Sequence, residues 1–169
     1  LASDINPGSL HAAERGIYSK WSFREEPPVP TGSYFSPGVD GRMHLGAEIR
    51  KMVRFSRLNL VTDLFPSGLN DTNRMDLILC RNVLMYFSAE IAASIVDRFH
   101  SALARDGLLL VSPQEISYAQ RPGFVQEKKS SVFLFRKGSG SDQLSQAEIS
   151  YRISQVDTPV FLPDIIPPE

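Results

Sequence analysis

Met75-Asp76-Leu77-Ile78-Leu79-Cys80-Arg81-Asn82-Val83-Leu84-Met85-Tyr86-Phe87 is the stretch that decides the fold of this 169-residue chain. An apolar run ends abruptly in an Arg-Asn pair, and a short aromatic segment follows before an amphipathic helical pattern begins. Strand, polar pair, helix is the order found in open α/β sheets, where ligands sit outside the carboxyl ends of the strands. Arg81 and Asn82 therefore stand where a bound molecule would be met. The competing reading is a solvated loop after a core strand.

Working downstream, Ser88 can cap a helix and Glu90 suits its positive N-terminal end, while Ile91, Ile95, Phe99 and Leu103 repeat every four residues along one stripe. Asp106-Gly107 reads as the turn from that helix into Leu108–Val111, a fully apolar run of the kind buried in a parallel sheet. Phe124–Lys128 and Ser131–Lys137 then read as two close strands joined by a tight turn, so that the sheet ends in an antiparallel hairpin. Beyond Lys137 the Gly-Ser-Gly-Ser run and four prolines in the last eleven residues predict a linker or disordered tail over 138–169.

Upstream, Asn6-Pro7 is a helix start, with a capping side chain followed by a proline whose fixed φ suits the first turn. The helix runs to about Arg15 and Gly16 closes it. Residues 25–38 hold four prolines and two glycines, which excludes a continuous helix or central strand. From Arg42 to Leu60 charged and apolar residues interleave, which predicts two or three strands with Ile49, Val53 and Phe55 on one face and Arg50 and Arg54 on the other.

Bulk properties narrow the function classes. With 42% hydrophobic residues the chain can build a core, and its 18 basic and 19 acidic residues lack the basic excess of a nucleic-acid binder. The single cysteine, Cys80, excludes an intrachain disulfide and fits a reducing compartment. No apolar run approaches the ~20 residues that cross a bilayer, and the chain reads as cytoplasmic. His11, His44 and His100 are far apart and have no metal-ligand spacing, so no metal is assigned. Leu1-Ala2-Ser3-Asp4 reads as the end of a strand, as in a piece of a longer protein, and no G-x-G-x-x-G dinucleotide fingerprint occurs downstream.

Leu79-Cys80-Arg81-Asn82-Val83-Leu84-Met85-Tyr86-Phe87 resembles the "CRNVLIYF" signature of the CheR-type chemotaxis receptor methyltransferases. Ala2-Ser3-Asp4-Ile5 resembles that family's "ATDI" strand end, and Phe55-Ser56-Arg57-Leu58-Asn59-Leu60 its "F-x-x-x-NL" segment. The three motifs fall in the family order and cover residues 1 to about 137. The resemblance implies an α/β, class I S-adenosylmethionine-dependent (Rossmann-like) methyltransferase sheet lacking its first strand. That strand would lie between the one ending at Asp4 and the one ending at Cys80. A small antiparallel β-subdomain is expected as an insertion at about residues 17–57 of a partial domain over 1–137. The implied activity is transfer of a methyl group from S-adenosyl-L-methionine to glutamate side chains in the cytoplasmic domains of chemoreceptors, releasing S-adenosyl-L-homocysteine. A non-catalytic CheR-like binding module in a larger sensory protein is the alternative.

The same resemblance gives the site residues their expected roles. Asp4, whose helix is already capped by Asn6, would accept hydrogen bonds from ribose hydroxyls. Asn59 and Leu60 would recognise adenine by its edge and face, and Arg81 and Asn82 would meet the methionine end. Tyr86 is the expected catalytic residue: a carboxylate needs no general base to attack a methyl group, so positioning is the main task, and a phenol can hold the non-reacting oxygen. Arg50, Lys51 and Arg54 belong to a basic stretch, with five basic residues against Glu48 alone between positions 42 and 57, and would steer an acidic receptor helix. Two departures from the pattern stand out: Ser112-Pro113-Gln114-Glu115 replaces the usual "GHSE", keeping its Glu, and Ser88 replaces the frequent Asp after "YF".

Overall fold

The structure, a computed structural model, describes residues 1–23, 34–129 and 132–138. They form two compact units, one comprising residues up to Asn59 and the other beginning at Leu60.

In the first unit, β1 (Ala2–Asp4) pairs in parallel with β5 (Phe55–Arg57), with Asp4 opposite Arg57. Between them comes α1 (Pro7–Arg15), started by the Asn6 side chain, which accepts from the Gly8 N–H at 2.8 Å. Gly16 ends α1 at φ 62°, in the left-handed region, and a Cβ there would lie 3.2 Å from the Leu45 Cβ. The position thus selects glycine both for its backbone angle and for the close approach of Leu45. Short strands β2 (Ile17–Tyr18), β3 (Phe35–Pro37) and β4 (Met43–Leu45) make an antiparallel sheet of order β2-β4-β3. Tyr18 of β2, Phe35 of β3 and Phe23 pack edge to face on one another, with ring centroids 5.0 to 6.4 Å apart.

One expectation fails in this unit. Ile49 and Arg50 are not on an extended chain but in a helix, α2 (Ala47–Lys51). Ala-Glu-Ile-Arg-Lys is a run of helix-forming residues with Glu48 in the first turn and Arg50 and Lys51 in the last, which suits the helix dipole. The apparent alternation of apolar and charged residues is too short to fix a period.

In the second unit, β6 (Met75–Cys80), β7 (Leu103–Val111), β8 (Phe124–Lys129) and β9 (Val132–Lys137) form a sheet of order β6-β7-β9-β8. The β6 and β7 strands are parallel, and β9 and β8 close the sheet as an antiparallel hairpin. Among the described residues, β1 and β6 each have a strand partner on one side only. Alternate residues of β6 face opposite ways: Cys80 is buried, whereas Leu77 and Leu79 remain 38% and 41% exposed.

Helix α3 (Ala89–Ala102) is capped by Ser88, whose hydroxyl accepts from the Ile91 N–H. Its buried residues are Ala92, Ile95, Val96, Phe99 and Ala102, so that Ile95, Phe99 and the following Leu103 of the expected stripe are buried and Ile91 is not. A strict four-residue repeat drifts around a helix of 3.6 residues per turn, whereas alternating steps of three and four stay on one face. Ile91 has drifted to 38% exposure, and Leu103 already begins β7.

Asp106-Gly107 also lies inside β7 rather than before it. The register with β6 shifts between Met75 and Leu77, and Asp106 takes φ 61°. A Cβ on Gly107 would stand 2.8 Å from the Met75 carbonyl oxygen, so this irregularity needs the glycine that sequence reading assigned to a turn. The expected linker lies outside the described residues beyond Gly138.

Candidate functional site

Parallel pairing brings two loops to one edge of the sheet. Cys80 of β6 is the register partner of Val111 of β7, so the segments that leave those strands, Arg81-Asn82 and Ser112-Pro113-Gln114-Glu115, emerge together. Glu115 sits in a short 3-10 turn, Pro113–Glu115, and is fully buried. Its Oε1 accepts from the N–H groups of Val83 and Leu84, both at 2.7 Å. Its Oε2 accepts from the Asn82 N–H at 2.9 Å, the Ser112 N–H at 3.2 Å and the Ser112 hydroxyl at 2.5 Å.

Successive backbone N–H groups aimed at one anion form a concave nest, which requires a left-handed residue in the run. Asn82 is that residue, at φ 58°, and asparagine tolerates the conformation better than most side chains. Burial alone would push the Glu115 carboxyl up. The hydrogen bonds from the Ser112 hydroxyl and from the Asn82, Val83 and Ser112 amides outweigh it and hold the carboxyl below its ordinary value. The neighbouring thiol responds the other way: burial, with the Glu115 charge adding to it, pushes Cys80 up to about 12. Cys80 is therefore a neutral, buried thiol and no nucleophile at pH 7.

The nest also orients the next turn of chain. Leu84–Tyr86 form a 3-10 turn in which Leu84 is fully buried while Met85 and Tyr86 point outward, Tyr86 at 79% exposure. The Tyr86 ring is thus no part of the core. It stands a few residues beyond Arg81 and Asn82, both exposed, on a backbone held by a buried carboxylate.

In the first unit the ends of β1 and β5 adjoin, and the Leu58 N–H donates to the Asp4 carbonyl at 3.1 Å, placing Asp4 beside the chain that leads into Asn59. The Asp4 carboxylate is not wholly free, contrary to the expectation from its sequence context: Oδ1 accepts from the Asn6 N–H at 2.8 Å. The side chain is otherwise exposed. Leu60 opens the second unit, and its carbonyl accepts from Arg98 Nη1 of α3 at 2.6 Å. Of the basic stretch, Arg50 donates to the Arg15 carbonyl at 2.9 Å, Lys51 pairs with Glu48 at 2.8 Å, and Arg54 is also engaged. All three are exposed.

Sequence reading missed the roles of two residues. Glu115 stands in the sequence as a surviving family residue with no evident task, although Ser112-x-x-Glu115 has the capping-box spacing that marks such a turn. Arg98 gives no signal, since a charged residue in mid-helix ordinarily faces solvent. Among the described residues, no group of three or more His, Cys, Asp or Glu side chains could hold a metal, and no helix is long and apolar enough to cross a membrane.

A β6–β7 parallel pair closed by an antiparallel hairpin, with polar residues at the carboxyl ends of the strands, is the arrangement expected of a class I S-adenosylmethionine-dependent methyltransferase fold, and the family match assigns the chain to that fold. Residues 1–132 match the family model described as the CheR methyltransferase, SAM binding domain, and the chain belongs to that family. It is 33% identical over 143 residues to chemotaxis protein methyltransferase 2 of Vibrio cholerae, covering 83% of this chain and 46% of that protein. It is 32% identical over 115 residues to the chemotaxis protein methyltransferase of Borreliella burgdorferi, 68% of this chain and 39% of that one. The probable biofilm formation methyltransferase WspC of Pseudomonas aeruginosa is 29% identical over 138 residues, 82% of this chain and 32% of its own length. The chain thus spans less than half the length of these relatives.

Proposed function

We propose that this chain is the cofactor-binding part of a protein-glutamate O-methyltransferase that modifies chemoreceptors. The observation that carries the reading is the Glu115-held segment Asn82–Met85, which fixes the family signature at the carboxyl edge of a parallel sheet. The side chains assigned to S-adenosylmethionine have the chemistry its parts call for. The exposed Asp4 carboxylate suits vicinal ribose hydroxyls, Asn59 with Leu60 suits adenine, and Arg81 with Asn82 suits the charged methionine end. When bound, the cofactor supplies an electrophilic methyl group on a sulfonium.

The chain's own task is geometric. An acceptor carboxylate is already nucleophilic at neutral pH, so no side chain need remove a proton. Tyr86, projecting from an anchored turn, donates a hydrogen bond to one carboxylate oxygen and leaves the other on the line of attack. The exposed cations Arg50, Lys51 and Arg54, in the segment read as an inserted β-subdomain, attract the acidic signalling helices of receptor cytoplasmic domains. An enzyme acting on those domains works in the cytoplasm.

The test uses the full-length protein, methyl-labelled S-adenosylmethionine and a receptor signalling fragment. A glutamyl methyl ester is cleaved by mild alkali to methanol. Label on the receptor that is released as volatile methanol supports the reading; label that resists alkali, or none on the receptor, defeats it.

A further inference from the structure

A single side chain gathers the carbonyls of the segment just beyond Asn59. Arg98, on α3, donates through Nη1 to the Leu60 carbonyl at 2.6 Å and, at 3.5 Å, to that of Val61. It donates through Nη2 to the Asp63 carbonyl and through Nε to the Phe65 carbonyl at 3.0 Å. Its guanidinium also lies 3.7 Å over the Phe65 ring, and that ring is buried against Phe99 with centroids 5.7 Å apart. Within the loop, the Asn70 amide donates to the Leu64 carbonyl at 2.8 Å, and the Thr72 hydroxyl accepts from the Ser67 N–H at 2.9 Å. Residues 60–72 are thus a built loop, pinned to the helix through one guanidinium and one aromatic ring.

Carbonyl oxygens turned toward a common point repel one another unless a donor set stands between them. A planar fork with five N–H groups meets that need, and an ammonium with three mobile ones meets it only in part. The bond at 2.6 Å falls on Leu60, the residue expected against the adenine face.

We infer that Arg98 is a positioning residue for base recognition: by fixing the carbonyls of Leu60, Val61, Asp63 and Phe65 it holds Leu60, the residue that follows Asn59 in the chain, for the discrimination of adenine from other purines. This rests on the reading of Asn59 and Leu60 as the adenine contacts. Arg98 makes no contact with the transferred methyl group, so it acts on cofactor choice and affinity and not on the chemical step.

The experiment compares S-adenosylhomocysteine with S-inosylhomocysteine, in which the exocyclic amine is replaced by oxygen, by calorimetry on the full-length protein. Arg98→Met is expected to weaken the adenine ligand about tenfold and to reduce the adenine preference, with Arg98→Lys intermediate. Turnover at saturating S-adenosylmethionine should stay within about twofold, because the interaction lost is made equally in ground and transition states. A purely structural Arg98 would lower stability and leave the preference unchanged, and that result overturns the inference. Should Arg98→Met fail to fold, Arg98→Lys carries the same comparison, and an unaltered preference in it is equally fatal. Asn59→Ala separates the two levels. If it abolishes the preference while the Arg98 variants keep it, only the inference falls; if it leaves the preference intact, the adenine reading itself falls.

Discussion

Replacing Glu115 by Gln removes a charge and little volume, so its effect measures what the carboxylate does. Oε1 serves the Val83 and Leu84 amides, and Oε2 serves the Asn82 and Ser112 amides with the Ser112 hydroxyl. A glutamine keeps one acceptor oxygen and presents an NH2 in place of the other. With the NH2 in the place of Oε2 two backbone N–H groups lose their acceptor, and in the place of Oε1 three, since the Met85 N–H also donates to Oε1 at 3.4 Å, all around a side chain that is itself fully buried. At ~1–3 kcal/mol for each orphaned buried donor, the loss for two is about 2–6 kcal/mol, a large part of the ~5–15 kcal/mol that stabilises a domain. Urea unfolding of the full-length protein should show that loss as a lower midpoint with an unchanged slope. The pH dependence carries a second signature. The folded carboxyl titrates below its ordinary value of 4.5, so its contribution is complete above that pH and is lost as pH falls through the lower folded value. Wild type should therefore lose stability faster than Glu115→Gln below about pH 4.5, the two curves converging in acid. A destabilisation under about 0.5 kcal/mol, within the range of an ordinary surface change, would refute the claim that this carboxylate builds the nest.

Tyr86→Phe should lower the rate of receptor methylation far more than it lowers cofactor affinity, with little change in stability because Tyr86 is 79% exposed; equal methylation rates would remove the hydroxyl from the mechanism. Asp4→Asn should act chiefly on cofactor affinity, costing ~1–3 kcal/mol as the hydroxyls lose a charged acceptor, and unchanged calorimetry would leave Asp4 with its bond to the Asn6 amide alone. Neutralising Arg50, Lys51 and Arg54 together should slow association with an acidic receptor fragment and flatten its salt dependence without altering cofactor affinity; identical stopped-flow rates at low ionic strength would mark a solvated face. Residues 1–169 by themselves should bind S-adenosylmethionine weakly and self-associate, because β1 and β6 each offer an unpaired edge among the described residues. Micromolar binding by a monomeric sample would contradict this.

The parts of the fold that were legible in the sequence are those where one local rule acts alone. Asn6-Pro7 and Gly16 bracket α1 through capping and backbone geometry, and Leu77–Cys80 before Arg81-Asn82 marks a strand meeting its polar edge. Reading failed where two rules competed. Ala47–Lys51 shows charged and apolar residues in a pattern too short to separate helix from strand, and helix propensity prevailed. Gly107 is as good a turn residue as a bulge residue, and only the approach of the Met75 carbonyl decides between them. The site divides in the same way. Residues that would touch a ligand sit at strand ends and carry motif signals. The groups that hold them in place act at long range, Glu115 on the Asn82 amide 33 positions away and Arg98 on the Leu60 carbonyl 38 positions away, and no sequence pattern reports such a pairing.

The proposed function stands or falls on where S-adenosylmethionine binds and on whether Tyr86 faces its reacting end. A structure of the full-length protein with S-adenosylhomocysteine bound tests it most directly. Expected are ribose hydroxyls on Asp4, adenine against Leu60 and Asn59, the methionine end at Arg81 and Asn82, and the Tyr86 hydroxyl on the open side of the sulfur. Cofactor bound elsewhere, or bound with Tyr86 turned away from the sulfur, would contradict it.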